Sequence, residues 1–166
     1  KDLKNGIFLT GSTGSLIKGI KQTGNFSVKD CKKMLEIIKE SNFKIKDHNC
    51  DYLDSKGILL RKHSGIKAFN IGPQLAVIES QQVMEIANKF DLSQLTKKFF
   101  NEVIKSKKWE KWCYENDTDN SKFYSTSHYF FTNEIYKEIF KKVSEKIDII
   151  SLIEKRHFDI LNSFYI

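Results

Sequence analysis

Three short stretches hold most of the residues whose chemistry goes beyond packing. Asp47-His48-Asn49-Cys50-Asp51-Tyr52 sets an imidazole close to a carboxylate. An imidazole can bind a metal or carry a proton near neutral pH, and a neighbouring carboxylate can orient it. Asn70-Ile71-Gly72-Pro73-Gln74 supplies an amide and the free N–H groups of a starting helix, a favourable place for an anion such as a sugar phosphate. Thr10-Gly11-Ser12-Thr13-Gly14 is a glycine-studded turn. Each also has a plainer reading as a tight turn that binds nothing. His63, His128 and His157 have no matching partner in the sequence and are read as structural.

These stretches need elements to hold them, and the first ninety residues supply a βα alternation. Ile7-Phe8-Leu9-Thr10 reads as a buried strand closed by Gly11. Ser27 can cap a helix over residues 28–40, in which Val28, Cys31, Met34, Leu35 and Ile38 share one face. Residues 43–46 form a second strand. Residues 53–63 form a helix capped by Asp54 or Ser55, and residues 66–71 form a third strand. Pro73 is favoured at the first position of the helix marked by Leu75, Ile78, Ile86 and Phe90. All three reactive stretches therefore fall at the carboxyl ends of strands, where loops vary while the sheet holds them rigid. Beyond residue 91 the strands stop. Leu92, Leu95, Phe99 and Val103 mark one amphipathic helix, and Ile135, Ile139, Phe140, Val143 and Ile147 another. Between them an irregular aromatic segment, 109–131, contains the polar surface loop 115–120. The division expected is 1–90 for the βα units and 91–166 for a helical extension.

The composition bounds the function classes. The chain has 166 residues, the size of one ordinary domain and too short for a complete eightfold barrel of about 250 residues. It lacks an initiator Met, so a partial chain is expected. The net charge is +7, yet only Arg61 and Arg156 are arginine and the other basic residues are lysine. Bidentate readers of phosphates and bases are nearly absent, so the charge does not point to nucleic acid. A lysine-rich surface and a phosphate-bearing small ligand fit the same excess. Cys31, Cys50 and Cys113 are odd in number and widely spaced, which indicates neither a disulfide framework nor a zinc finger. A reducing, cytoplasmic location is expected. No apolar run approaches the roughly 18 residues that span a bilayer, so no membrane partner is expected.

The stretch Thr10 to Leu16 looks like the nucleotide-binding turn of the short-chain dehydrogenases, and Tyr52-x-x-x-Lys56 imitates their catalytic pair. An NAD(P)-dependent oxidoreductase is therefore the second alternative. Its context is poor, because Ile17 stands where the third glycine belongs and Gly19 and Gly24 interrupt the helix that should follow. As a Walker loop the stretch fails, since Ile20 rather than Lys follows Gly19.

A broader likeness is carried by Lys46-Asp47-His48-Asn49-Cys50-Asp51-Tyr52-Leu53 and by Asn70-Ile71-Gly72-Pro73-Gln74-Leu75-Ala76, with Glu79 in the helix beyond. Lys108-Trp109-Glu110-Lys111-Trp112-Cys113-Tyr114 and Phe123-Tyr124-Ser125-Thr126-Ser127-His128-Tyr129-Phe130-Phe131 continue it. In order and spacing these segments, across residues 43–147, resemble the non-catalytic subunits of tagatose-bisphosphate aldolase, a family also labelled tagatose 6-phosphate kinases. That family is similar to the zinc-dependent class II ketose-bisphosphate aldolases.

The resemblance implies an α/β fold: the C-terminal part of a (β/α)8 TIM-type barrel followed by a helical tail. It also implies an accessory subunit that stabilises or activates a catalytic class II aldolase, with a sugar-phosphate pocket around His48, Asp51, Asn70, Gly72 and Gln74. His48 matches a zinc ligand of the catalytic aldolases, and Asn70 matches their triose-phosphate contact. The other zinc histidine is absent from Gly11-Ser12-Thr13-Gly14-Ser15. Catalytic zinc normally keeps three protein ligands. No cofactor is therefore assigned to this chain, and zinc is expected in the full barrel or in the catalytic partner. The first alternative is an active zinc-dependent aldolase-like enzyme. Asp47, Asn49-Cys50 and His128-Tyr129 depart from the family pattern, which implies a divergent subgroup. A homo-oligomer is compatible with this reading, and an isolated partial barrel would leave sheet edges open to aggregation.

Overall fold

The computed structural model describes residues 7–165. The chain divides into two compact units. The first contains the residues up to Ile17, Lys21–Gly72 and the chain end from Phe164; the second contains Lys18–Ile20 and Pro73–Ser163.

The sheet of the first unit consists of β1 (Ile7–Gly11), β4 (Phe43–Asp47) and β5 (Ala68–Phe69), all parallel, in the order β1-β4-β5. Ile7 is level with Phe43 and Gly11 with Asp47, so both strands end at the same edge. Helix α1 (Val28–Ile38) packs Cys31, Met34, Leu35 and Ile38 with Ile45 and Ile66. This is the face that the helical periodicity picks out. Ser27 caps α1 by accepting from the Asp30 N–H at 3.1 Å, and Asp54 caps α2 (Ser55–His63) by accepting from the Gly57 N–H at 2.7 Å. Between β1 and α1 the chain forms a small hairpin of β2 (Ile17–Lys18) and β3 (Lys21–Gln22), whose tip belongs to the second unit.

The second unit is helical: α3 (Pro73–Lys89), α4 (Ser93–Lys105), α5 (Asp119–Thr126), α6 (Glu134–Ser144) and α7 (Ile149–Ser163). Its core joins Val83 and Ala87 of α3, Phe99 and Val103 of α4, Phe123 of α5, Ile139 and Val143 of α6, and Ile149 and Ile153 of α7. Phe99 meets Phe123 edge to face at 5.6 Å, and Phe131 stacks on Tyr136 at 4.5 Å. No helix among the described residues is long and apolar enough to cross a membrane.

Several expectations are corrected. The described residues do not form part of a TIM-type barrel: the sheet has three strands, lies open, and is followed by helices alone. Closing such a barrel takes eight strands with a common tilt and shear. Loop residues at strand ends carry a family's chemical pattern but do not count its strands. The third strand shrinks from 66–71 to Ala68–Phe69, although Lys67 and Asn70 still donate to the Ile45 and Asp47 carbonyls at 3.0 and 2.9 Å. The aromatic segment is largely helical. It contains the 3-10 turns Lys108–Lys111 and Ser127–Phe130 and the whole of α5, each too short to print a periodic signal. Thr118 caps α5, so the polar loop ends there and Asp119 and Asn120 begin the helix.

Candidate functional site

The aligned ends of β1 and β4 bring the loop after Gly11 against the loop after Asp47. The Asp47 carboxylate, fully buried, accepts from Thr13 Oγ1 at 2.7 Å and from Ser15 Oγ and Arg61 Nε at 2.9 Å each. Arg61, 3% exposed, also donates from Nη2 to Ser15 Oγ at 2.8 Å and from Nη1 to the Gly57 carbonyl at 3.0 Å. Its guanidinium lies 4.5 Å from the centre of the Phe26 ring. Each side-chain nitrogen of Arg61 and each carboxylate oxygen of Asp47 has a partner, which is the condition for tolerating charge in a dry interior. The network binds the β1 loop, the end of β4 and α2 into one block.

Sequence reasoning missed this network. In the sequence Arg61 stands out only as a rare arginine and Asp47 only as a departure from a family pattern. One signal was available: an arginine falling among the apolar positions of a helix calls for a buried acid.

The loop beyond β4 is wound tightly. Asn49 and Tyr52 both lie in the left-handed region, with φ of 55° and 59°. For a residue as bulky as tyrosine that conformation persists only where the surroundings over-determine it. Gln22 supplies part of that determination. Its Nε2 donates to the Asn49 and Asp51 carbonyls at 2.8 and 3.1 Å, while its Oε1 accepts from the Leu16 and Gly24 N–H groups at 2.7 and 3.2 Å. Gly14 has φ of 98°, and a Cβ there would collide with the Asn25 carbonyl. Burial raises the Cys50 thiol far above its ordinary pKa, and the Asp47 charge adds to the effect. Burial likewise raises the Tyr52 phenol, reinforced by the Asp51 carboxylate. Neither group is poised to ionise near neutral pH.

The residues singled out from the sequence are distributed as follows. His48 is exposed directly after β4, with its backbone N–H on the Gly11 carbonyl at 3.1 Å. Asp51 is buried, and its Oδ1 accepts from the Gly72 N–H at 2.9 Å. Asn70 exchanges backbone hydrogen bonds with this region: its N–H donates to Asp47 and its carbonyl accepts from Cys50, each at 2.9 Å. Asp51, Asn70 and Gly72 are thus brought together in the first unit. Gln74 lies in the first turn of α3, in the second unit. The Gly72 N–H, read from the sequence as a donor for an external anion, is already held by the Asp51 carboxylate. A phosphate at that atom would meet a buried negative charge of the protein itself.

Two chemistries do not fit this donor set. Among the described residues no group of three His, Cys, Asp or Glu side chains is placed to hold a metal ion, so His48 lacks the companions a zinc site needs. The dehydrogenase reading fails on geometry. Gly11 leads into the β2–β3 hairpin rather than a helix, and the first helix begins only at Val28. Tyr52, the supposed catalytic phenol, has its hydroxyl buried.

No family model matches the chain, and no curated protein matches it by sequence. Among solved structures it is similar to a crystal structure of a probable tagatose 6 phosphate kinase from Sinorhizobium meliloti 1021, with a TM-score of 0.64 and 10% sequence identity. The likeness covers 95% of this chain and 46% of that one, so the chain spans less than half the length of its structural relative. At that identity the comparison establishes a shared fold.

Proposed function

We propose that this chain serves sugar-phosphate metabolism as an accessory, non-catalytic subunit of a class II tagatose-bisphosphate aldolase, stabilising or activating a separate catalytic subunit. One observation carries the reading. The fold likeness to a protein named as a probable tagatose 6 phosphate kinase spans 95% of the chain, and the strand-end segments resemble in sequence the family bearing that label. In this reading a phosphorylated sugar meets the exposed His48 imidazole at the end of β4, while Asp51, Asn70 and Gly72 hold the loop that presents it. Zinc belongs to the catalytic partner.

The test uses the full-length protein with a purified catalytic class II subunit. Aldol cleavage of tagatose 1,6-bisphosphate is followed for each component alone and for the mixture, with ATP-dependent phosphorylation of tagatose 6-phosphate assayed in parallel. The expected result is activity or thermal protection of the catalytic subunit only on mixing. Zinc-dependent cleavage by this protein alone, or ATP-dependent phosphoryl transfer, refutes the accessory role.

A further inference from the structure

In the first unit, β1 and the neighbouring α1 expose several large apolar side chains. β1 is an edge strand among the described residues, and its Ile7 and Phe8 are each 45% exposed. Beside it, Ile37 on α1 is 82% exposed. Leu9, Met34, Ile37, Ile38 and Ile45 line one groove between strand and helix, and Val28, Lys29, Lys32, Lys33, Glu36 and Ile37 line a second along the outer flank of α1. Ile37 borders both, so the two grooves lie side by side across α1. An apolar trough flanking a helix above a sheet is the shape that a second helix fills in layered α/β packing.

The charge on the rim selects the occupant. Among the residues lining the second groove, Lys29, Lys32 and Lys33 outnumber the acid Glu36. The local ion pairs, Lys33 with Asp30 at 3.0 Å and Lys39 with Glu36 at 3.1 Å, join side chains that are all more than half exposed, so they yield readily to a partner. A second copy of the chain would bring the same lysine excess to the contact. A helix whose apolar stripe is flanked by carboxylates would bring the complement.

We propose that the β1–α1 trough is the docking surface for an amphipathic, acid-flanked helix of a different protein, which on the accessory-subunit reading is the catalytic partner. α1 is 11 residues long, about 16 Å of helix, so the seated partner helix spans about three turns. Its apolar stripe covers Ile37 and Leu9, and its carboxylates meet Lys29, Lys32 and Lys33.

The test employs two synthetic amphipathic peptides of about 18 residues, long enough to hold a helix. Their leucine stripes are identical, but one is flanked by glutamates and the other by lysines. Binding to the intact protein is measured by fluorescence anisotropy at two salt concentrations, with Ile37→Glu and the triple Lys29→Glu, Lys32→Glu, Lys33→Glu variants alongside. The glutamate peptide is expected to bind at least tenfold more tightly than the lysine peptide, weaken in high salt, and lose at least tenfold in either variant. Equal binding of both peptides, or no effect of the variants, overturns the proposal. So does self-association in sedimentation that Ile37→Glu abolishes, because the occupant would then be a second copy. If a catalytic aldolase subunit is activated equally by wild type and Ile37→Glu, this surface is refuted while the accessory role stands.

Discussion

Replacing Arg61 with Met tests whether the buried block at the strand ends holds the first unit together. The Asp47 carboxylate is fully buried, and the Arg61 side chain is 3% exposed. Removing the guanidinium leaves a buried anion with only the Thr13 and Ser15 hydroxyls, and breaking a buried pair in this way costs about 3–5 kcal/mol. The two surviving donors place the expectation near the lower figure. Since each 1.4 kcal/mol is about a factor of ten, opening of this unit should become about a hundredfold more frequent. Native-state hydrogen exchange reads that directly: amides of β1, β4 and α2 should lose about two decades of protection. Asp47→Asn alone strands the arginine charge and should cost a comparable amount. The double variant contains no buried charge and should recover much of the loss. A loss below tenfold in Arg61→Met, or a double variant as damaged as the sum of the single ones, would show that the charges are not coupled and that the argument is wrong.

Three further outcomes are expected. Gly14→Ala forces a Cβ against the Asn25 carbonyl at a φ of 98° and should lower stability by about 1–3 kcal/mol, whereas Gly72→Ala, with open space around the added carbon, should stay within about 0.5 kcal/mol; paired thermal melts check both. Cys31, Cys50 and Cys113 are all buried, and burial raises the first two thiols, so a thiol reagent should label the native protein slowly and all three residues promptly in denaturant. Burial lowers the His128 pKa from 6.5, which means that the folded state binds its proton less readily than the unfolded chain. The stability this confers is fully present above pH 6.5 and is lost as the pH falls through the lower folded value. Urea midpoints should therefore decline on acidification from neutral pH, and an NMR titration of the imidazole should place its midpoint below 6.5. A His128 midpoint above that value contradicts the burial argument.

The sequence by itself determined the elements that rest on local rules. The face of α1, the cap at Ser27, the start of α3 at Pro73 and the apolar seams of α4 and α6 follow from periodicity and capping within a few neighbouring residues, while the cap of α2 is narrowed to Asp54 or Ser55 and the structure selects Asp54. The position of His48 at a strand end was legible in the same way. Short elements were not: the β2–β3 hairpin and the eight-residue α5 are too brief for a period to register, and the third strand was legible in place but not in length. Strand count and sheet closure lay outside the sequence argument as well, since they depend on pairings that strand-end loops do not encode. Only the tertiary structure decided that Asp51 occupies the Gly72 N–H and that Asp47 binds Thr13, Ser15 and Arg61 across as many as 34 positions in the chain. A buried charge requires partners whose identity is set by the parallel register of β1 with β4. That register brings together loops that are distant in sequence, and no periodicity marks it.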